Sequence, residues 1–210
     1  MNDTSHHDHD HVHDHESPAV KRKFLFLLGS ARTGGNTETL AREAAAQLPA
    51  TVEQRWLRLH DVPLPAFDDR RHGEEGHTAA PARSLPAGNE RILLDATLEA
   101  TDLVIASPLY WYSVSADTKL YLDYWAGWLQ LGEEVRFRDR MRGKTMWALT
   151  TTSHDDTAKA DPLLGTLRLS AEYMGMEWGG DVVGHGNRPG EIRTDTDALA
   201  AAKGLFASAM

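Results

Sequence analysis

Lys23-Phe24-Leu25-Phe26-Leu27-Leu28 runs straight into Gly29-Ser30-Ala31-Arg32-Thr33-Gly34-Gly35-Asn36-Thr37-Glu38-Thr39-Leu40, and this junction decides the fold. A short, unbroken apolar run is what a strand covered on both faces of a parallel sheet needs. Lys21-Arg22-Lys23 in front of it gives the look of a secretory signal, but the run sits behind a long polar leader and closes on Gly29-Ser30. A glycine-bearing loop then leaves the strand and opens a helix. Backbone N–H groups, short hydroxyls and a helix N-terminus together receive a phosphate monoester. Ser30, Asn36 and Thr37 supply donors, and Arg32 can add a charge-assisted pair. The spacing is not G-x-G-x-x-G, and it lacks the Gly-Lys-Ser/Thr ending of a triphosphate loop. A plain helix start capped by Asn36 or Thr37 explains part of the same stretch.

Outward from the junction, apolar strand runs alternate with amphipathic helical runs, the pattern of a parallel sheet covered by helices on both faces. Strands are expected at Lys23 to Gly29, Thr51 to Leu59, Leu103 to Ser107, Thr145 to Thr150 and Trp178 to Val183. Helices are expected at Thr37 to Leu48, Gly88 to Ala100, Ser115 to Leu131, Pro162 to Met174 and Asp195 to Ala207. In such a doubly wound sheet the ligand lies beyond the carboxyl ends of the strands. The stretch from Pro63 to Pro86 is long for a structureless connection and falls on that edge, as a lid, a subunit contact or a solvated excursion.

Two more loops reach the same edge. Ser107-Pro108-Leu109-Tyr110-Trp111-Tyr112-Ser113 comes after the third strand and offers an apolar and aromatic wall for a flat ring system. Thr150-Thr151-Thr152-Ser153-His154 comes after the fourth and offers hydroxyls and amides. His154 could meet an acceptor there or be a surface histidine. Tyr121, Tyr124, Trp125 and Trp128 recur on one helix in excess of what a single face needs to cover a sheet, which predicts partial exposure in a lone chain and a symmetric homodimer or higher homo-oligomer, the alternative being that all four pack inside one subunit.

Composition narrows the field. Twenty-two Lys and Arg against 31 Asp and Glu give a net charge of −9, which disfavours a nucleic-acid partner. No stretch reaches the roughly 18 consecutive apolar residues of a membrane span. There is no cysteine, so disulfides, thiolate nucleophiles and iron–sulfur ligation are excluded, in keeping with a reducing compartment such as the cytoplasm. Redox chemistry would need a borrowed cofactor. Residues 1–19 read as a disordered leader in which His6, His7, His9, His11, His13 and His15 alternate with acids, a composition suited to zinc or nickel; residues 20–210 read as one domain.

Two motifs carry a family resemblance. The pattern Gly-Ser-x-Arg-x-x-Gly-Asn-Thr-x-x-Leu occurs, with one extra residue, as Gly29 to Leu40; Pro-x-Tyr-Trp with a downstream Lys-x-x-x-Asp occurs as Pro108, Tyr110, Trp111, Lys119 and Asp123. With both, the chain resembles the NAD(P)H-dependent FMN reductases and quinone reductases of the flavodoxin-like superfamily. The resemblance implies an α/β fold with a five-stranded parallel sheet in the order 2-1-3-4-5. It implies an FMN phosphate held by Ser30, Arg32, Asn36 and Thr37, and an isoalloxazine bounded by Pro108, Leu109, Tyr110 and Trp111 and by Thr151, Thr152 and Ser153. NAD(P)H would be the reductant and a small molecule such as a flavin or quinone the acceptor, with no obligatory catalytic side chain because the cofactor carries the chemistry. Many relatives place glycines after the fourth strand, where this chain has Ser153-His154-Asp155.

Overall fold

The computed structural model describes residues 21–69 and 84–209. The leader histidines and most of the long stretch after the second strand lie outside the described residues.

Five strands, β1 (Lys23–Leu28), β2 (Glu53–Arg58), β3 (Asp102–Ala106), β4 (Thr145–Thr152) and β5 (Glu177–His185), form one all-parallel sheet in the order β2-β1-β3-β4-β5. β1 is the pivot, pairing Phe26 with Trp56 on one side and with Val104 on the other. Because successive side chains of a strand point to opposite faces, its apolar run divides between two cores. Phe24, Phe26 and Leu28 enter the layer made with α1 (Asn36–Ala45) and α6 (Thr196–Gly204). Leu25 and Leu27 enter the layer made with α2 (Gly88–Glu99), α3 (Ala116–Trp128), the short α4 (Phe137–Met141) and α5 (Asp161–Tyr173).

The first layer is closed by aromatic edges. Phe206 meets Phe24 at 5.0 Å and Trp147 at 5.1 Å, and Trp56 stacks on Phe26 at 3.9 Å. Trp147 also explains a break in register between β4 and β5. A Cβ on Gly179 would lie 2.5 Å from its indole, so that position must be glycine for the ring to lie there.

The second layer corrects an expectation. Tyr121, Tyr124, Trp125 and Trp128 are all buried within a single chain. α4, which the periodicity did not predict, places Phe137 5.3 Å from Trp128 and 6.0 Å from Trp125. Three of the four polar tips are matched: Tyr121 shares a 2.7 Å hydrogen bond with Thr97 Oγ1, Trp128 Nε1 donates to Glu90 Oε1 at 2.9 Å, and Tyr124 donates to the Pro65 carbonyl at 3.1 Å. These aromatics are core; among the described residues the exposed aromatics are Tyr110, Trp111 and Tyr112 on the loop after β3 and Tyr173 at the end of α5.

Replacing a buried tryptophan with alanine typically costs about 3–5 kcal/mol, so Trp128→Ala should lower the urea-unfolding free energy by about that amount. A loss within about 0.5 kcal/mol, the range of surface substitutions, would return this side chain to an interface.

Candidate functional site

The loop between β1 and α1 begins where the chain has no room for a side chain. A Cβ on Gly29 would come within 2.1 Å of Thr118 Oγ1 and 2.8 Å of Ser115 Oγ, at the start of α3. Beyond it, Arg32 N donates to Ser30 Oγ at 3.1 Å, and Gly34 takes a left-handed φ of +67°. α1 then starts at Asn36, with Gly35 as its N-cap and no side chain capping it. The first-turn N–H groups of a helix have no intrahelical partner, so those of Asn36, Thr37 and Glu38 are available to an anion. The helix starts one residue before the expected Thr37, and neither Asn36 nor Thr37 is its cap.

These residues border an open cleft of about 560 Å³, counted with the solvent at its mouth. Ser30, Arg32, Gly35, Asn36 and Thr37 form one end. Pro108, Leu109 and Tyr110, after β3, form an apolar wall, and Thr151 and Ser153, at the end of β4, bring a polar edge. Thr37 and Thr151 share a 3.1 Å hydrogen bond that ties the first loop to the third.

Two expected residues stand outside this lining. Thr152 is buried in β4, its Oγ1 accepting from His154 N at 3.1 Å. Trp111 is 93% exposed at the tip of a two-residue turn closed by reciprocal Tyr110–Ser113 hydrogen bonds of 3.0 and 3.1 Å. Both central residues of that turn have left-handed φ, +50° at Trp111 and +64° at Tyr112, a conformation that costs about 1–2 kcal/mol per non-glycine residue. His154 also lies outside the lining and packs its ring parallel to Tyr112 at 6.0 Å.

A fourth wall was missed from the sequence: Gly186, Asn187 and Pro189, after β5. Asn36 holds it. Its Nδ2 donates to the Arg188 carbonyl at 2.9 Å, and its Oδ1 accepts from Gly190 N at 2.8 Å. The chain approaches so closely that a Cβ on Gly186 would sit 2.9 Å from Asn36 Nδ2. The available signal was the turn-rich Gly186-Asn187-Arg188-Pro189-Gly190 at the carboxyl end of a parallel strand, where ligands of this architecture lie.

Behind the first loop lies an ion pair that sequence reading also missed. Arg58, the last residue of β2, donates to Glu38 Oε2 at 2.7 Å, with side chains only 9% and 10% exposed. Glu38 also accepts from Gly34 N at 2.9 Å and from Arg42 Nη2 at 3.2 Å. Burial alone would raise the Glu38 pKa, but the hydrogen bonds from Arg58, Gly34 and Arg42 outweigh it and hold the carboxyl below its ordinary 4.5.

Among the described residues no cluster of three or more His, Asp or Glu could hold a metal ion, and no helix is long and apolar enough to cross a membrane. The six leader histidines lie outside the described residues.

The comparisons agree with this architecture. Residues 22–206 match the flavodoxin-like fold family, to which the chain belongs. A Bacillus subtilis protein named "Putative NAD(P)H-dependent FMN-containing oxidoreductase YwqN" is 30% identical over 184 residues, covering 88% of this chain and 96% of that protein. The solved structure of the Trp repressor binding protein from Bacillus subtilis superposes with a TM-score of 0.68 at 27% identity, covering 88% of this chain and 97% of the other. An NAD(P)H:quinone oxidoreductase from Methanothermobacter marburgensis shares the fold at a TM-score of 0.61 and 15% identity, over 87% of this chain and 96% of its own.

Because Glu38 is more acidic folded than unfolded, its contribution to stability is full above the unfolded value of 4.5 and is lost as pH falls through the folded one. Thermal unfolding of the wild type should therefore steepen in acid below pH 4.5, while Glu38→Gln, less stable at neutral pH, should show a flatter acid limb. Parallel acid limbs for the two proteins would contradict the pairing.

Proposed function

We propose that this chain is an FMN-dependent oxidoreductase that passes reducing equivalents from NAD(P)H to a small acceptor such as a flavin or quinone. The observation that carries the reading is one cleft with two unlike ends: an uncapped helix start with hydroxyls and Arg32, and an apolar wall of Pro108, Leu109 and Tyr110. A phosphate monoester joined to a flat ring fits that donor set. When bound, FMN supplies the hydride-transfer chemistry.

The chain's own groups bind and orient. Ser30 and Thr37 offer hydroxyls, Arg32 offers charge, and Asn36 offers its backbone N–H while its side chain holds the fourth wall in place. Thr151 and Ser153 would border the ring's polar edge, while Thr152, buried in β4, and Trp111, at the exposed tip of its turn, stand outside the cleft lining. Among the described residues the cleft lining has no carboxylate and no histidine, which supports a reaction that asks no side chain to act as acid or base. A homodimer of this chain would be built on the exposed Tyr110-Trp111-Tyr112 turn, since the aromatics of α3 are occupied internally. The leader is a separate metal-binding appendage, and the absence of cysteine suits work in the cytoplasm.

Purified protein should be yellow with FMN, run at twice the chain mass by light scattering, and oxidise NADH or NADPH when a quinone is added. A version starting at Ala19 should keep both flavin and activity and lose zinc binding by calorimetry. Bound FMN without nicotinamide oxidation would point instead to an electron carrier, and a protein that takes up no FMN would end the reading.

A further inference from the structure

Arg58 is paired in register with Leu28, so it stands level with the point where the first loop leaves the sheet. Its guanidinium does more than neutralise Glu38. Nη1 donates to the Ser30 carbonyl at 2.9 Å and to the Arg32 carbonyl at 2.6 Å, while Nη2 holds Glu38 at 2.7 Å. Glu38 in turn takes the N–H of Gly34. Three peptide planes of the loop are therefore fixed by one ion pair.

The described peptides are all trans, and in a trans peptide the C=O and the next residue's N–H point in opposite directions. Carbonyls of Ser30 and Arg32 that face Arg58 leave the N–H groups of Ala31 and Thr33 facing the other way. We propose that Arg58, with Glu38, is a positioning residue for the FMN phosphate: it draws two carbonyl oxygens, which would repel the anion, to the back of the loop and turns the Ala31 and Thr33 N–H groups to its front. This role rests on the chain being an FMN protein. Neutralisation adds to it, because without Arg58 the buried Glu38, in the first turn of the helix that meets the phosphate, would keep only its 3.2 Å pairing with the half-exposed Arg42. Lysine cannot replace the function fully, since a single ammonium lacks the planar fork that spans two carbonyls and a carboxylate.

The test is fluorescence titration of apo-protein with FMN and with riboflavin, which has the ring but no phosphate. Arg58→Gln should weaken FMN at least tenfold and riboflavin less than twofold; Arg58→Lys should recover part of the loss. If Arg58→Gln fails to fold, the double variant Arg58→Gln/Glu38→Gln, which buries no unpaired charge, should show the same selective loss of FMN. FMN affinity within twofold of wild type, or equal weakening of both ligands, would overturn the positioning role. Wild-type protein that binds riboflavin as tightly as FMN would overturn the phosphate reading beneath it.

Discussion

At Gly29 the sheet, the first loop and the start of α3 meet in a space with no room for a methyl group. The same junction is tied by Ser107 Oγ, which accepts from Ser115 N at 2.9 Å, and by the 2.9 Å contact between the Ser115 and Thr118 hydroxyls. Because β1 and β3 are neighbours, this close approach forces the loops that leave them to diverge from one point. One loop carries the hydroxyls and the helix start, and the other carries the apolar wall. The Thr37–Thr151 bond and the Asn36 contacts then bring the loops after β4 and β5 against the first. The cleft is thus a consequence of how tightly four strand ends are gathered, and the fold belongs to it as much as the site does.

The features legible in the residues were local. The unbroken apolar run of β1, the glycine-rich turn and the inner face of α1 through Leu40, Ala41, Ala44 and Ala45 depend on neighbours within a few positions, and all four of those side chains are buried. The alternation of strand and helix runs pointed to a doubly wound parallel sheet, and the order 2-1-3-4-5 came with the family resemblance. Boundaries were less legible: β4 continues to Thr152 and β5 to His185, because their last residues are held by pairing with each other and not by their own propensity.

Features that depend on distant partners could not be read. The aromatic surplus of α3 looked like an interface because nothing near it in sequence could cover it; Glu90, Pro65 and Phe137 do so from elsewhere in the chain. The wall after β5 belongs to the cleft through Asn36, more than 150 positions earlier. Arg58 reads as an ordinary basic residue at a strand end, and only the register of β2 against β1 sets its guanidinium behind the loop. Favourable chemistry in this site is therefore distributed: the residues that touch a ligand come from short motifs, while those that hold the motifs in shape come from the sheet.

The most direct measurement is a ¹H–¹⁵N spectrum of the full chain during titration with FMN. Binding at the gathered strand ends should move the amides of Ala31 to Thr37, Leu109, Tyr110 and Thr151 to Ser153, and leave Lys23, Asp102 and Thr145, at the opposite edge of the sheet, in place. Saturating FMN that leaves Asn36 and Thr37 unmoved, or that shifts the opposite edge instead, would contradict a phosphate held at the start of α1.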